Sequence, residues 1–120
     1  MDIEQFREYC LAFEGVTEKT PFGKFAARFD SILVFYVHDH MFCMLDMDNF
    51  TGVTVKGMPE RIAELHETRC SCSSHRNMSS KYWIELSFGG DISESEIMTM
   101  VRQSYEIVRK KYSRAVRRKG

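Results

Sequence analysis

The stretch KYWIELSF, residues 81–88, decides the fold because its apolar residues alternate. Successive side chains of a strand point to opposite faces, so this pattern predicts a strand with one apolar face. The apolar set is Tyr82, Ile84, Leu86 and Phe88. Trp83, the only tryptophan in the chain, falls on the opposite face. We therefore expect Ile84, Leu86 and Phe88 to face a layer of helices, and Trp83 to face an open side.

The segment that follows this strand predicts a long helix. Gly89-Gly90 turns the chain, and Ser93 with Glu96 has the spacing of a capping box, in which each residue satisfies the backbone N–H of the other. Ile92 and Ile97 occupy the two positions of a hydrophobic staple. An apolar stripe then recurs at helical spacing through Ile97, Val101, Tyr105, Val108 and Tyr112.

The first half of the chain is typical of hairpins. Four apolar, β-branched or aromatic segments predict strands at 24–29, 32–37, 41–46 and 52–56. Asp2 and Gln5 predict a capped helix over about residues 3–14, and Pro59 suits the first position of a short second helix that has Met58 instead of a good cap. Residues 68–80 are expected to be irregular.

These elements predict an α+β fold with two layers: an antiparallel sheet of about five strands with helices on one face. We expect a single domain over residues 1–120, with a basic C-terminal tail from about residue 113. In segments 32–37 and 41–45 both alternating sets are apolar, so the second face of the sheet should also be covered. A partner subunit, a loop such as 68–80, or a ligand could cover it.

Composition places the protein among ordinary globular domains. No apolar run reaches the roughly 20 residues that span a bilayer, and the N-terminus does not resemble a signal peptide, so a cytoplasmic protein that does not enter membranes is expected. Cys10, Cys43, Cys70 and Cys72 should then be reduced packing residues.

The candidates for chemistry are weak. Cys70, Cys72 and His75 carry metal-ligating groups, but their spacing is not that of a zinc site. Cys72 with His75 lacks an acidic partner for nucleophilic catalysis, and no glycine-rich phosphate loop is present. We therefore predict no enzyme activity, no metal and no cofactor.

Positive charge is concentrated at two places, although the formal net charge is zero. Between residues 102 and 119 there are eight Lys or Arg and one acid, Glu106. Cations at a helix C-terminus also complement its dipole, so a purely structural role stays open for residues 109–111. A second small group combines Arg76 and Lys81 with Trp83, a composition suited to phosphate contact and base stacking.

Several segments in this order resemble the MmcQ/YjbR family of small bacterial proteins. They are Thr20-Pro21-Phe22-Gly23, Val55-Lys56-Gly57-Met58-Pro59-Glu60, Asn77-Met-Ser-Ser-Lys81-Tyr82-Trp83, and Ser104-Tyr105 in the last helix. The resemblance implies a compact α+β fold similar to type III secretion chaperones. It also implies the usual description of the family as DNA-binding, with a double-wing type of motif.

Together, the charge pattern and the resemblance lead to a hypothesis of weak, salt-dependent DNA binding without catalysis. The candidate nucleic-acid-binding residues are Arg76, Asn77, Lys81, Trp83, Arg109, Lys110, Arg114, Arg117 and Arg118. The alternative hypothesis is a protein-interaction or self-associating module, whose apolar open face around Trp83 docks a partner protein or a second copy in a homodimer.

Overall fold

The structure, a computed structural model, describes residues 1–24, 27, 30–75 and 78–119, without the side chains at 24 and 114–119. Its helices are α1 (Ile3–Leu11), α2 (Pro59–Thr68) and α3 (Glu94–Lys119), with a 3-10 helix at Pro21–Lys24. Its strands are β1 (Thr17–Lys19), β2 (Ile32–Val37), β3 (His40–Asp46), β4 (Gly52–Lys56), β5 (Cys72–Ser73) and β6 (Trp83–Ser87). The described strands form one antiparallel sheet in the order β1-β2-β3-β4-β6-β5. The predicted α+β architecture is confirmed.

The hairpin between β2 and β3 turns at two residues, His38 and Asp39. His38 and Asp39 both adopt positive φ, at 51° and 63°, which is the conformation of a two-residue turn whose twist matches the flanking strands. The register pairs Val34 with Met44 and shifts by one residue between Phe35 and Tyr36, where a bulge occurs.

The helix-facing side of the sheet forms the hydrophobic core. Phe35, Val55, Ile84 and Leu86 are fully buried there, together with Phe6 of α1. The apolar stripe of α3 packs on the same core, and the capping box between Ser93 and Glu96 is formed as predicted. Phe88 packs at the margin of the core and Trp83 is only half-buried, so the predicted orientation of β6 is confirmed.

The buried hydroxyl of Ser104 connects α3 to strands β3 and β4. Ser104 accepts a hydrogen bond from the backbone N–H of Lys56 at 2.9 Å, and its own hydroxyl donates to the carbonyl of Phe42. Beside it, the hydroxyl of Tyr105 donates to the carbonyl of Glu14 at 2.6 Å, which ties α3 to the turn after α1. The Ser104-Tyr105 pair therefore has a clear structural role at the interface of the two layers.

Three local predictions were wrong. The first helix ends at Leu11 instead of Glu14, and the chain reaches positive φ, 78°, at Gly15. The strand expected at 24–29 does not begin at Lys24, which ends the 3-10 helix that starts at Pro21; residues 25, 26, 28 and 29 lie outside the described residues. Strands β1 and β5 were missed because three and two residues are too short to show alternation.

The second face of the sheet is partly covered. Val34, Met44 and Thr54 lie in one cross-strand row on this face and are buried, which agrees with the expectation that both faces are covered. Phe22 from the 3-10 helix and Met78 from the connection between β5 and β6 border this area. Between them a groove of about 710 Å³ remains.

Candidate nucleic-acid interface

Trp83 begins β6 and stands directly opposite Lys56, the last residue of β4. The Lys56 ammonium nitrogen lies 5.9 Å from the centroid of the Trp83 ring, within the range of a cation–π interaction. Because the indole is half-buried, part of its surface is available to a ligand. An aromatic ring beside a cation is the arrangement that stacks on a base and contacts its phosphate.

A second groove, of about 570 Å³, lies between the start of α2 and the middle of α3. We call it the basic groove, because its described lining includes four cations and one carboxylate. These are Lys56, Arg61, Arg102, Lys110 and Glu106. Lys56 thus belongs both to this groove and to the pair with Trp83, so the groove and the indole lie on either side of one residue.

The cations of the basic groove differ in how far their charge is already compensated. Arg61 forms an ion pair with Glu64 of its own helix at 2.9 Å. Among the described residues, no carboxylate forms an ion pair with Lys56, Arg102 or Lys110. The Glu106 carboxylate forms an ion pair with Arg109 at 2.9 Å. The positive charge of three cations is therefore open to an anionic ligand.

Arg109 is held by its own helix. Its guanidinium donates to Glu106 and lies 6.0 Å from the ring centroid of Tyr105. The hydrogen bond and charge of Glu106 raise the pKa of Arg109 above its ordinary value. A phosphate would have to compete with this carboxylate, so Arg109 is a weaker candidate than Lys110.

The predicted site residues are thus only partly brought together. Lys110 lines the basic groove, and Lys56 connects that groove to Trp83, whereas exposed Lys81 stacks its ammonium over Tyr82 at 5.5 Å. Arg76 and Asn77 lie outside the described residues, as do the side chains of Arg114, Arg117 and Arg118.

Sequence reasoning missed Lys56, Arg61 and Arg102 as members of one surface. Arg102 belongs to the basic C-terminal region of the sequence, but its position opposite α2 depends on the packing of α3 against the sheet. Residues 56 and 102 are far apart in the chain, and no local pattern predicts that they line the same groove. The one available signal was the apolar stripe of α3, which leaves Arg102 on the flank of the buried face.

The cysteine and histidine candidates are dispersed. Cys10, Cys43 and Cys72 are buried, as expected for packing residues, and burial raises the pKa of the Cys43 and Cys72 thiols. Cys70 is exposed, so the expectation of packing is wrong for this residue. In the part of the chain that the structure describes, no group of three or more His, Cys, Asp or Glu side chains is arranged to hold a metal.

The comparisons with known proteins place the chain in a family. The YjbR family model matches residues 11–107, which is most of the chain and includes the sheet, α2 and the first half of α3. The chain belongs to the YjbR family. The resemblance drawn from the sequence is therefore confirmed. A comparison with curated proteins finds no match.

Solved structures show the same fold. A Deinococcus radiodurans protein with a DUF419 domain is 24% identical, with a TM-score of 0.81 over 92% of this chain and 80% of that chain. A crystal structure of a Pseudomonas syringae protein is 20% identical, with a TM-score of 0.71 over 91% of this chain and 100% of that chain. A solution NMR structure of a protein from Pseudomonas syringae is 19% identical, with a TM-score of 0.66 over 91% of this chain and 94% of that chain.

Hydropathy gives one further observation about the helices. Among those the structure describes, none combines the length and the apolar character that crossing a membrane requires.

Proposed function

We propose that this YjbR-family protein is a non-catalytic, cytoplasmic DNA-binding protein that contacts backbone phosphates through the basic groove. The observation that supports the proposal is that Lys56, Arg102 and Lys110 line one groove and that none of them forms an ion pair with a carboxylate among the described residues. Phosphate contacts of this kind fix the position of a nucleic acid but carry no sequence information. Binding is therefore expected to be weak and insensitive to sequence.

Trp83 favours a strand with unpaired bases. Its half-buried indole lies next to Lys56, so a phosphate near Lys56 would bring a neighbouring base within reach of the ring. Stacking of a base on an aromatic side chain contributes roughly 1–3 kcal/mol, and it requires a base that is not paired in a duplex. We therefore expect single-stranded DNA to bind more tightly than duplex DNA of the same length.

The test is a titration of fluorescein-labelled single-stranded and duplex DNA at several salt concentrations, followed by anisotropy. Affinity should fall with rising salt, and Arg102→Gln should flatten the logarithmic salt slope by about 0.7 for single strands. Lys19→Gln is the matched control, because it removes the same charge from exposed Lys19 in the edge strand β1, which contributes no residue to the basic groove. The control should leave the slope unchanged.

Trp83→Ala separates stacking from phosphate contact. It should weaken single-strand binding by about tenfold while changing duplex binding little. Absence of binding to both DNA forms at low salt would end the proposal, as would equal effects of Arg102→Gln and Lys19→Gln.

A further inference from the structure

The groove on the open face, described above by its volume of about 710 Å³, shares no described lining residue with the basic groove. Its floor is the open side of the central strands, and Phe22 and Met78 form parts of its walls. This volume lies within the range of roughly 300–1,000 Å³ that is usual for small-molecule sites. The groove is therefore large enough for a compact organic molecule.

The lining is mainly apolar and adaptable. Ile32 and Met44 come from the floor, and Phe22 and Met78 from the borders. Methionine side chains are flexible and polarizable, so two of them can adjust to ligands of different shape. Such a surface favours a ligand with an apolar or aromatic body.

Two carboxylates line the groove. Asp46 and Glu85 are the carboxylates of the described lining, which contains no Lys or Arg and one imidazole, that of His75. Asp46 accepts a hydrogen bond from the backbone N–H of Asp48 at 2.9 Å. Glu85 is half-buried in the middle of β6, opposite buried Thr54, and no hydrogen bond or ion pair to its carboxylate is found among the described residues.

We propose that this groove binds a small molecule with an apolar or aromatic body and a primary ammonium group that pairs with Glu85. A carboxylate beside apolar walls is partly withdrawn from water, and a ligand ammonium would restore its charge compensation while the body of the ligand fills the groove. DNA does not fit here because the carboxylates would repel its phosphates. The proposed DNA-binding function uses none of the residues that line this groove.

The test compares naphthylethylamine with naphthylethanol and naphthylacetate, three probes with the same aromatic body. Binding is followed by shifts of the backbone amide signals of Met44, Thr54 and Glu85 in a two-dimensional NMR titration. The amine should bind about tenfold more tightly than the alcohol because its hydrogen bond to Glu85 is charge-assisted. The acid should bind more weakly than the alcohol.

Glu85→Gln should bring the amine and the alcohol to within about twofold of each other. Glu67→Gln, which removes the same charge from an exposed position on α2, should keep the tenfold preference. Arg102→Gln should also keep it, so a failure of DNA binding and a failure of amine binding are told apart.

Three results would overturn the proposal. The first is the absence of amide shifts in the groove, and the second is an amine preference that survives Glu85→Gln. The third is a concentration-dependent shift of the same amides without any probe, accompanied by a dimer in light scattering. That result would mean that a second copy of the chain occupies the face.

Discussion

Strand β6 shows both faces of the sheet within three residues. Ile84 is fully buried against the helices, whereas its neighbours Trp83 and Glu85 are half-exposed on the other side. Ile84 contributes to the core, Trp83 adjoins the basic groove through Lys56, and Glu85 lines the groove on the open face. Substitutions one residue apart should therefore separate the stability of the fold from ligand binding.

Truncation of the buried residue Ile84 should destabilise the fold most. Ile84→Ala should lower the free energy of unfolding by about 2–5 kcal/mol, because it leaves a cavity in a packed core. Glu85→Gln should change the free energy of unfolding by less than about 0.5 kcal/mol, because no hydrogen bond or ion pair to its carboxylate is found among the described residues. Urea denaturation followed by circular dichroism measures both. Similar losses for the two variants would show that the open face is as tightly packed as the core.

The next largest effect concerns the contact between the layers. Ser104→Ala removes the hydroxyl that joins Lys56 and Phe42, and the Lys56 N–H and the Phe42 carbonyl lose this partner. The expected loss is about 1–3 kcal/mol. Thr99→Ala is the control, since the exposed Thr99 hydroxyl donates only to the carbonyl of Ser95 in the same helix. Its loss should stay within about 0.5 kcal/mol in the same denaturation assay.

The smallest effect is expected where β5 is attached to the end of the sheet. The Asp91 carboxylate accepts backbone hydrogen bonds from Cys70 at 2.7 Å and from Ser71 at 2.9 Å. These bonds favour the charged form of Asp91 and lower the pKa of its carboxyl group from 3.8 to about 2. Because the pKa is lower in the folded state, the stabilisation is present above about pH 4 and disappears as the pH falls through about 2.

Asp91→Asn tests this pH dependence. The variant should have a lower Tm than the wild type at neutral pH, and the difference should vanish near pH 2. Scanning calorimetry over this pH range measures it, with Asp48→Asn as a control because no hydrogen bond to the Asp48 carboxylate is found among the described residues. A difference in Tm that persists unchanged at pH 2 would contradict the assignment.

The features that could be predicted from the sequence are those set by interactions between residues close together in the chain. The capping box of Ser93 and the alternation in residues 81–88 act within one element, so helix α3 and the orientation of β6 were foreseeable. Strand β1 has only three residues and forms because β2 offers an unpaired backbone edge. That edge exists only after the sheet has assembled, so no pattern in residues 17–19 predicts the strand.

The candidate sites depend even more on tertiary structure. Trp83 could be identified from its place in the alternation, but its partner Lys56 is set by the antiparallel register of β4 and β6. The basic groove also requires α2 and α3 to approach each other, and the groove on the open face requires the 3-10 helix to border the sheet. Charge and composition indicated the kind of ligand, whereas the surfaces themselves come from contacts distant in sequence.

The sheet ends at both sides in very short strands, β1 with three residues and β5 with two. A long unpaired strand at the edge of a sheet is a template on which another chain can add by backbone hydrogen bonds, the first step toward ordered aggregates. Edge strands of two or three residues offer few donors and acceptors for such addition. The protein should therefore resist fibril formation at high concentration, and any assembly it forms should use side chains on the faces of the sheet or on the helices.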